Sequence, residues 1–291
     1  MTGITQRSIS VRGKAIHVRS TEARDGSWPT LLCIHGNLGS GRWFEALLAD
    51  YPGAAVAPDL PNFAESDHID GCSMSVYADW LAAIADELGV GGGGSHGRAV
   101  VVGHSLGGAV AMELLCLRPQ IVGRLILVDS SPVEGLHTPK EHYPAIEAYK
   151  ADKAVLASAL KGMVPTLADD ELFALLVDDA WKMNRDCFIG HAEALGQADY
   201  RERLKDTLIP VHVVRGEADP LITAERAQAA AEFFGTTVRT FAGCGHSPLV
   251  EQPERFNALV RELVREERPD VGDESHAATG GPRRDDSGNR E

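Results

Sequence analysis

Short apolar segments that alternate with helical patterns constrain the fold of this chain more than any other feature. Five of them are apolar and a sixth is more polar: residues 30–36, 54–61, 98–105, 124–132, 209–220 and 237–246. A short apolar run closed by glycine or aspartate is typical of a strand buried on both faces. Strands that alternate with helices therefore predict an α/β fold with a mostly parallel sheet flanked by helices.

The helical patterns between these segments support the same architecture. In residues 75–89 an apolar residue recurs every fourth position, and Ser75 is expected to cap that helix. A second helix is predicted over residues 106–118, and a third begins at Pro253. Before the first buried segment, residues 8–20 predict an antiparallel hairpin.

Two segments interrupt the alternation. Residues 133–206 contain several helical patterns but no convincing strand, and they are too long and too apolar for a simple loop. We predict an inserted helical cap there, which leaves residues 1–132 and 207–266 as the core domain. Residues 267–291 lack apolar periodicity and are predicted to be a disordered tail.

The overall composition excludes several classes of protein. The formal net charge of −14 over 291 residues argues against nucleic-acid binding, which needs a basic face. No apolar run is long enough to insert into a membrane, and the N-terminal stretch MTGITQRSIS does not resemble a signal peptide. Five cysteines without a C-x-x-C pair favour a reducing compartment and no zinc site. We expect a cytoplasmic protein.

The segment Gly103-His104-Ser105-Leu106-Gly107 fits the pattern G-x-S-x-G, with a predicted strand before it and a predicted helix after it. This context is typical of a nucleophile elbow, in which the serine occupies a strained turn and small neighbours prevent collisions. The positive end of the following helix also points toward the serine. Ser105 is therefore the predicted nucleophile.

A serine nucleophile requires a base, and the base requires an orienting acid. His246 lies in a loop after the last predicted strand, among small residues, and is the predicted base. Asp219 directly follows a buried strand and is the favoured acid, whereas Glu217 would point differently. Asp129 also ends a strand and remains an alternative acid, although an aspartate before Ser-Ser-Pro is typical of a turn.

Acyl transfer also requires hydrogen-bond donors for the oxyanion. The backbone N–H of Leu106, directly after the nucleophile, is one predicted donor. The second is expected from the loop that follows the first buried strand, where the N–H of Asn37 is favoured and that of Leu38 is the alternative. His35 and His104 adjoin the motif glycines and are expected to hold loops by hydrogen bonds.

Together these motifs resemble the α/β-hydrolase fold family. The order Ser105, Asp219, His246 along the chain is the order of that family, and the resemblance extends from about residue 8 to residue 266. It implies an α/β-hydrolase fold with a helical cap and hydrolysis through an acyl-enzyme, with neither a metal nor an organic cofactor.

One loop departs from the pattern of the family. Many relatives carry small glycines after the second buried strand, where this chain has Asn62, Phe63 and Ala64. The resemblance therefore does not define the shape of this loop, and the mechanism does not depend on it. The chain also resembles haloalkane dehalogenases at "HGN" and epoxide hydrolases in its cap, but both use an aspartate nucleophile, and Ser105 argues against them.

The sequence thus predicts a serine hydrolase acting on a carboxylic ester or a lactone. A C–C bond hydrolase, an acyltransferase or a perhydrolase would use the same three residues, and a ligand receptor without turnover is a further alternative. An apolar cap favours a small hydrophobic acyl or lactone substrate. The cap residues predicted to touch it are Trp181, Met183, Phe188, His191 and Leu195.

Overall fold

The computed structural model describes residues 3–92 and 97–266. The predicted disordered tail, residues 267–291, lies outside the described residues. Within them, eight strands form one sheet. The strands are β1 (Thr5–Val11), β2 (Lys14–Thr21), β3 (Leu31–Ile34), β4 (Ala55–Pro58), β5 (Ala99–His104), β6 (Val122–Val128), β7 (Val211–Gly216) and β8 (Val238–Phe241).

The sheet is mostly parallel, as predicted. Its strand order is β1-β2-β4-β3-β5-β6-β7-β8. The pairs β1–β2 and β2–β4 are antiparallel, and the remaining pairs are parallel. The β1–β2 hairpin turns at Arg12 and Gly13, both with positive φ, which matches the twist of the flanking strands. The carboxyl ends of β3, β5, β6, β7 and β8 consequently share one edge of the sheet.

Helices fill the connections between the strands. In the described residues they are α1 (Glu45–Asp50), α2 (Met74–Glu87), α3 (Leu106–Leu117), α4 (Tyr143–Ala151), α5 (Lys153–Met163), α6 (Glu171–Trp181), α7 (Cys187–Gln197), α8 (Arg201–Leu204), α9 (Ala224–Phe233), α10 (Pro248–Glu251) and α11 (Pro253–Arg265). Helix α2 begins earlier than predicted, because Ser73 rather than Ser75 caps it by accepting from the N–H of Val76 at 3.3 Å.

The core lies on both faces of the sheet. Side chains of alternate residues along a strand point to opposite faces. On β5, Val101 belongs to the apolar cluster formed with α2 and α3, whereas Val100 and Val102 belong to the cluster formed with α1 and α11. This burial on both faces explains why the central strands are almost continuously apolar.

Helices α4–α8 all lie in the connection between β6 and β7, within the segment predicted to form a cap. We call residues 133–206 the insertion. Its buried Asp179, on α6, accepts hydrogen bonds from Ser40 Oγ and Arg42 Nε, each at 2.8 Å. The insertion is therefore attached to the loop after β3 by a polar contact. The helices of the described residues are all too short or too polar to cross a bilayer.

Candidate active site

Ser105 lies in a strained turn between β5 and α3. Its φ is 54° and its ψ is −118°, a conformation that costs about 1–3 kcal/mol for a residue other than glycine. The turn needs its small neighbours. A Cβ on Gly107 would lie 2.2 Å from the carbonyl oxygen of Ile34, and one on Gly103 would lie 2.6 Å from the carbonyl oxygen of Gly107. The structure thus has the local geometry expected of a nucleophile elbow.

His246 and Asp219 meet beside this turn. Asp219 follows β7 and His246 follows β8, so both lie at the edge of the sheet where Ser105 follows β5. His246 Nδ1–H donates to Asp219 Oδ2 at 2.7 Å. The backbone N–H groups of Leu221 and Ile222 donate to Asp219 Oδ1 at 2.7 and 3.1 Å. These bonds fix the carboxylate and the imidazole in one orientation.

The charge state of Asp219 follows from these contacts. Burial raises the pKa of Asp219, but the hydrogen bond and the charge of His246 lower it more, to about 2. The carboxyl is therefore ionised at neutral pH. It can hold the Nδ1–H tautomer of His246, which leaves Nε2 available as an acceptor.

Ser105 and His246 border the same cavity. Within the described residues, no hydrogen bond joins Ser105 Oγ to another group, and His246 Nε2 is equally unengaged. Hydrogen bonds of this kind are often long without substrate and tighten when it binds. Both atoms are therefore free to act on a molecule in the cavity.

Asp129, the alternative acid, occupies a different place. It follows β6, and its Oδ1 accepts from the N–H of Gly216 at 2.9 Å. Its buried Oδ2 has no hydrogen-bond partner within the described residues. Burial and the neighbouring Asp219 raise the pKa of Asp129 well above its usual value. Of the two acids considered from the sequence, Asp219 is the one in contact with His246.

The two N–H groups expected as oxyanion donors lie at the ends of adjacent strands. Leu106 is the first residue of α3, so its N–H has no partner in the helix. The N–H of Leu38 is occupied, because it donates to Asn37 Oδ1 at 3.1 Å. The N–H of Asn37 has no partner within the described part of the chain, which favours Asn37 over Leu38.

A chain of hydrogen bonds holds the side chain of Asn37. His191 Nδ1–H, on α7, donates to Asn37 Oδ1 at 2.8 Å, and Tyr77 O–H, on α2, donates to His191 Nε2 at 2.7 Å. Burial lowers the pKa of His191 to about 3, so the ring is neutral and serves as both donor and acceptor. His191, predicted as a substrate contact, thus contacts Asn37 instead and is not part of the cavity wall.

His35 and His104 hold loops, as expected. His35 Nδ1–H donates to the carbonyl oxygen of Gly36 at 2.8 Å, and its Nε2 accepts from the N–H of Leu60 at 2.9 Å. His104 Nε2–H donates to the carbonyl oxygen of His246 at 2.9 Å. Burial and the nearby His246 lower the pKa of His104 to about 3, so its ring is neutral. His104 therefore positions the backbone of His246.

The cavity has a volume of about 370 Å³ and is mainly apolar. Two of the five predicted insertion residues, Phe188 and Leu195, line it. Trp181 and Met183 do not: the centre of the Trp181 ring lies 3.9 Å from Arg185 Cζ, and Met183 is buried in the core. The remaining wall is formed by Asn37, Leu38, Trp43, His104, Ser105, Leu136, Thr138, His142, Ala145, Ile146, Tyr149, Ala159, Leu160, Met163, Ala192, Leu221, His246 and Ser247.

Sequence reasoning missed the contribution of α4 and α5 to this wall. Ile146 and Tyr149 are three residues apart on α4, and Leu160 and Met163 are three apart on α5. This spacing places each pair on one face of its helix. The spacing was visible in the sequence, but it did not show which helices of the insertion would lie over Ser105.

Two groups of side chains in the described residues have the chemistry to hold a metal ion. Cys72, Cys187 and His191 form one group, and Asp129, Asp219 and His246 form the other. Both ring nitrogens of His191 and the Nδ1 of His246 are already used in hydrogen bonds. A metal ion would have to displace these bonds.

Comparison with known proteins decides the family. The model of the alpha/beta hydrolase family matches residues 31–259. The chain belongs to the alpha/beta hydrolase family. The fold, the family and the enzyme class predicted from the sequence are therefore confirmed.

Curated relatives and a solved structure match most of this alpha/beta hydrolase. It is 31% identical over 256 residues to the dihydrolipoyllysine-residue acetyltransferase component of the acetoin cleaving system of Cupriavidus necator, covering 82% of this chain but only 64% of that protein. It is 28% identical over 269 residues to the pimeloyl-[acyl-carrier protein] methyl ester esterase of Aromatoleum aromaticum, covering 81% and 98%. An esterase from Exiguobacterium antarcticum has the same fold, with a TM-score of 0.78, 20% identity and coverage of 90% and 100%.

The loop in which this alpha/beta hydrolase departs from its family keeps a glycine-like backbone. Asn62 and Ala64 have φ of 75° and 45°, in the left-handed region that favours glycine. Asn62 is held by its side chain, whose Oδ1 accepts from the N–H of Ile69 at 2.8 Å. Ala64 has no comparable polar group. The loop therefore keeps the shape that glycines would give, at some cost in strain.

Proposed function

We propose that the chain is a serine hydrolase that cleaves a neutral carboxylic ester or lactone through an acyl-enzyme. The observation that carries this proposal is the 2.7 Å hydrogen bond between His246 and Asp219, beside the strained turn of Ser105 at the same cavity. Acyl transfer by a serine requires a nucleophile, a base that takes its proton and an acid that orients the base, and Ser105, His246 and Asp219 would fill these three roles.

In the proposed reaction, His246 Nε2 takes the proton of Ser105 Oγ as the oxygen attacks the substrate carbonyl. The N–H groups of Leu106 and Asn37 bind the developing oxyanion. His246 then returns the proton to the leaving oxygen, and an acyl-serine ester remains. Water attacks this ester with His246 again as base, the bond between the acyl group and Ser105 Oγ breaks, and His246 returns the proton to Oγ as the acid leaves. Asp219 stabilises the imidazolium in both steps.

The cavity favours a neutral, hydrophobic acyl group. No lysine, arginine, aspartate or glutamate is among its lining residues, which all lie in the described part of the chain. A carboxylate or ammonium group on the substrate would lose its hydration there without gaining a partner. The methyl ester esterase of Aromatoleum aromaticum acts, by its name, on a methyl ester, which agrees with an ester as the bond cleaved.

We further propose that the insertion is a cap that sets the acyl preference of the enzyme. Helices α4, α5 and α7 all contribute to the wall of the cavity, together with loops that follow the strands. Larger or smaller side chains at Phe188 and Leu195 would therefore change which acyl chains fit.

Ser105→Ala tests the proposal. Hydrolysis of p-nitrophenyl esters, from acetyl to long acyl chains, and of lactones is measured for wild type and variant. Loss of a nucleophile that acts as a unit with its base costs about 10⁶ in kcat, so we expect no measurable turnover by the variant. A fluorophosphonate should label wild type at Ser105, as read by mass spectrometry.

Ser130→Ala is the matched control, because the Ser130 hydroxyl hydrogen-bonds to a backbone carbonyl and lies outside the cavity wall. It should be labelled like wild type. Equal labelling of Ser105→Ala and wild type would refute the proposal.

Added alcohols or peroxide would give a new product if the chain were an acyltransferase or a perhydrolase. Turnover of a vinylogous diketone substrate would reveal C–C bond hydrolysis.

A further inference from the structure

Asp129 is a second carboxyl group beside Asp219 that the mechanism above does not use. One oxygen of Asp129, one oxygen of Asp219 and one ring nitrogen of His246 all lie within 4.8 Å of one another. Asp129 is fully buried. Its backbone is also strained, with a φ of 41°, while its N–H donates to the carbonyl oxygen of Val214 at 2.9 Å.

The hydrogen bonds of the two carboxyl groups are unequal. Asp219 accepts from His246, Leu221 and Ile222, so both of its oxygens have donors. Asp129 accepts only from Gly216, and its Oδ2 lacks a partner within the described residues. An ionised Asp129 would leave a buried charged oxygen unpaired, next to a second negative charge. A protonated Asp129 has an O–H that can donate to Asp219.

Resting on the proposed function, we propose that Asp129 is a neutral carboxylic acid whose Oδ2–H donates to Asp219. It is thus a positioning residue that holds the acid of the active site in the orientation that His246 requires. The bond places one negative charge on the pair, and that charge lies on the carboxylate in contact with the imidazole.

The charged and titratable groups around Asp129 agree with this assignment. Arg215, on β7, is the nearby cation, but its guanidinium donates to the backbone carbonyls of Ile222 and Glu217 rather than to Asp129. Cys244, after β8, is buried, and burial together with Glu251 and Asp129 raises the pKa of its thiol. Burial first, and then Asp219, raise the pKa of Asp129 well above its usual value. Arg215 and the N–H of Gly216 favour the ionised form of Asp129, but burial and Asp219 oppose that form more strongly.

Two substitutions separate the role of the proton from the role of the charge. In Asp129→Asn the new side-chain amide keeps an N–H donor toward Asp219 and a carbonyl acceptor for Gly216, so we expect kcat and its pH profile to stay close to wild type. Asp129→Val removes the donor. We expect kcat to fall about ten- to a hundredfold, with KM unchanged because Asp129 is not part of the cavity wall.

The pH profile of Asp129→Val gives a readout that simple loss of packing would not. Without its donor, Asp219 would attract the imidazolium of His246 more strongly. The acid limb of kcat/KM should therefore move to higher pH in Asp129→Val and remain in place in Asp129→Asn.

Infrared spectroscopy tests the protonation state without reference to activity. At neutral pH, wild type and Ser105→Ala should both show the C=O band of a buried carboxylic acid, and Asp129→Asn should lack it. Persistence of the band in Asp129→Asn, its absence from wild type, or an Asp129→Asn variant that is folded but as impaired as Asp129→Val would overturn the inference. If the band behaves as expected while Ser105 fails to react with the fluorophosphonate, the proposed function fails and the carboxylic acid remains.

Discussion

At the scale of single residues, several residues other than glycine have a backbone conformation in the left-handed region. Ser105, Asp129, Asn62 and Ala64 all have positive φ although none is glycine. Such conformations persist only where the surrounding structure holds them. The side chains of Ser105 and Asp129 also lie at the candidate site. The side chain of Ala64 has no polar atom that could form a hydrogen bond and so offset the strain.

Ala64→Gly should therefore cost little stability. Glycine adopts a φ of 45° without a clash, and relief of this strain should offset both the entropy that glycine adds to the unfolded chain and the loss of the buried Ala64 methyl group. We expect a change of less than about 0.5 kcal/mol in the free energy of unfolding, measured by urea denaturation. Ala229→Gly, at an exposed position within α9, is the matched control and should lose about 1 kcal/mol. Equal destabilisation by both substitutions would contradict the strain argument.

At the scale of elements, polar contacts as well as apolar packing attach the insertion to the core. Asp179 of α6 accepts from Ser40 and Arg42, which follow β3, and its side chain is only 2% exposed. The same helix carries Asp178, which pairs with Lys153 of α5 at the surface. Asp179 thus forms a buried contact between the insertion and the core, whereas its neighbour Asp178 forms an exposed contact within the insertion.

Asp179→Ala should destabilise the protein and loosen the insertion. The substitution leaves Ser40 and Arg42 without their buried acceptor, which we expect to cost about 2–3 kcal/mol in urea denaturation, since Arg42 is partly exposed. Limited proteolysis should cleave within residues 133–206 faster than in wild type. Asp178→Ala should cost less than about 1 kcal/mol, because surface ion pairs contribute little. Similar losses in the free energy of unfolding for the two variants would show that the buried contact contributes no more than the surface ion pair.

The fold and part of the site could be predicted because they follow local rules. Apolar strand segments, the glycines around Ser105 and the order of the three site residues are all visible in the sequence. The contact between Asn37 and His191 was not, because it joins residues 154 positions apart through the packing of α7 on the core. The start of α2 was missed for a local reason: Ser73 and Ser75 are both good caps, and the helix uses Ser73.

At the scale of the whole molecule, the buried hydrogen bond between His246 and Asp219 couples folding to pH. The pKa of Asp219 is lowered from 3.8 to about 2, chiefly by His246 acting against burial. A group with a lowered pKa in the folded state stabilises the protein above its unfolded pKa, and this contribution is lost as the pH falls through the folded pKa.

Wild type should therefore lose about 2 kcal/mol of stability from Asp219 as the pH falls from about 4 to about 2. Asp219→Asn should lack this part of the pH dependence. Urea denaturation of both proteins across this range provides the measurement. Parallel stability curves for the two proteins would show that the hydrogen bond of Asp219 does not contribute to this pH dependence.

The hydrogen bond between His191 and Asn37 has a consequence for protein engineering. Exchanging the whole insertion for that of a homologue is an obvious route to new acyl preferences. A chimera of that kind would remove the imidazole that donates to the Asn37 amide oxygen and leave that oxygen with only the N–H of Leu38 as a donor. The replacement insertion should therefore be chosen first for a side chain that can donate a hydrogen bond to Asn37 Oδ1. The shape of the pocket that it forms comes second.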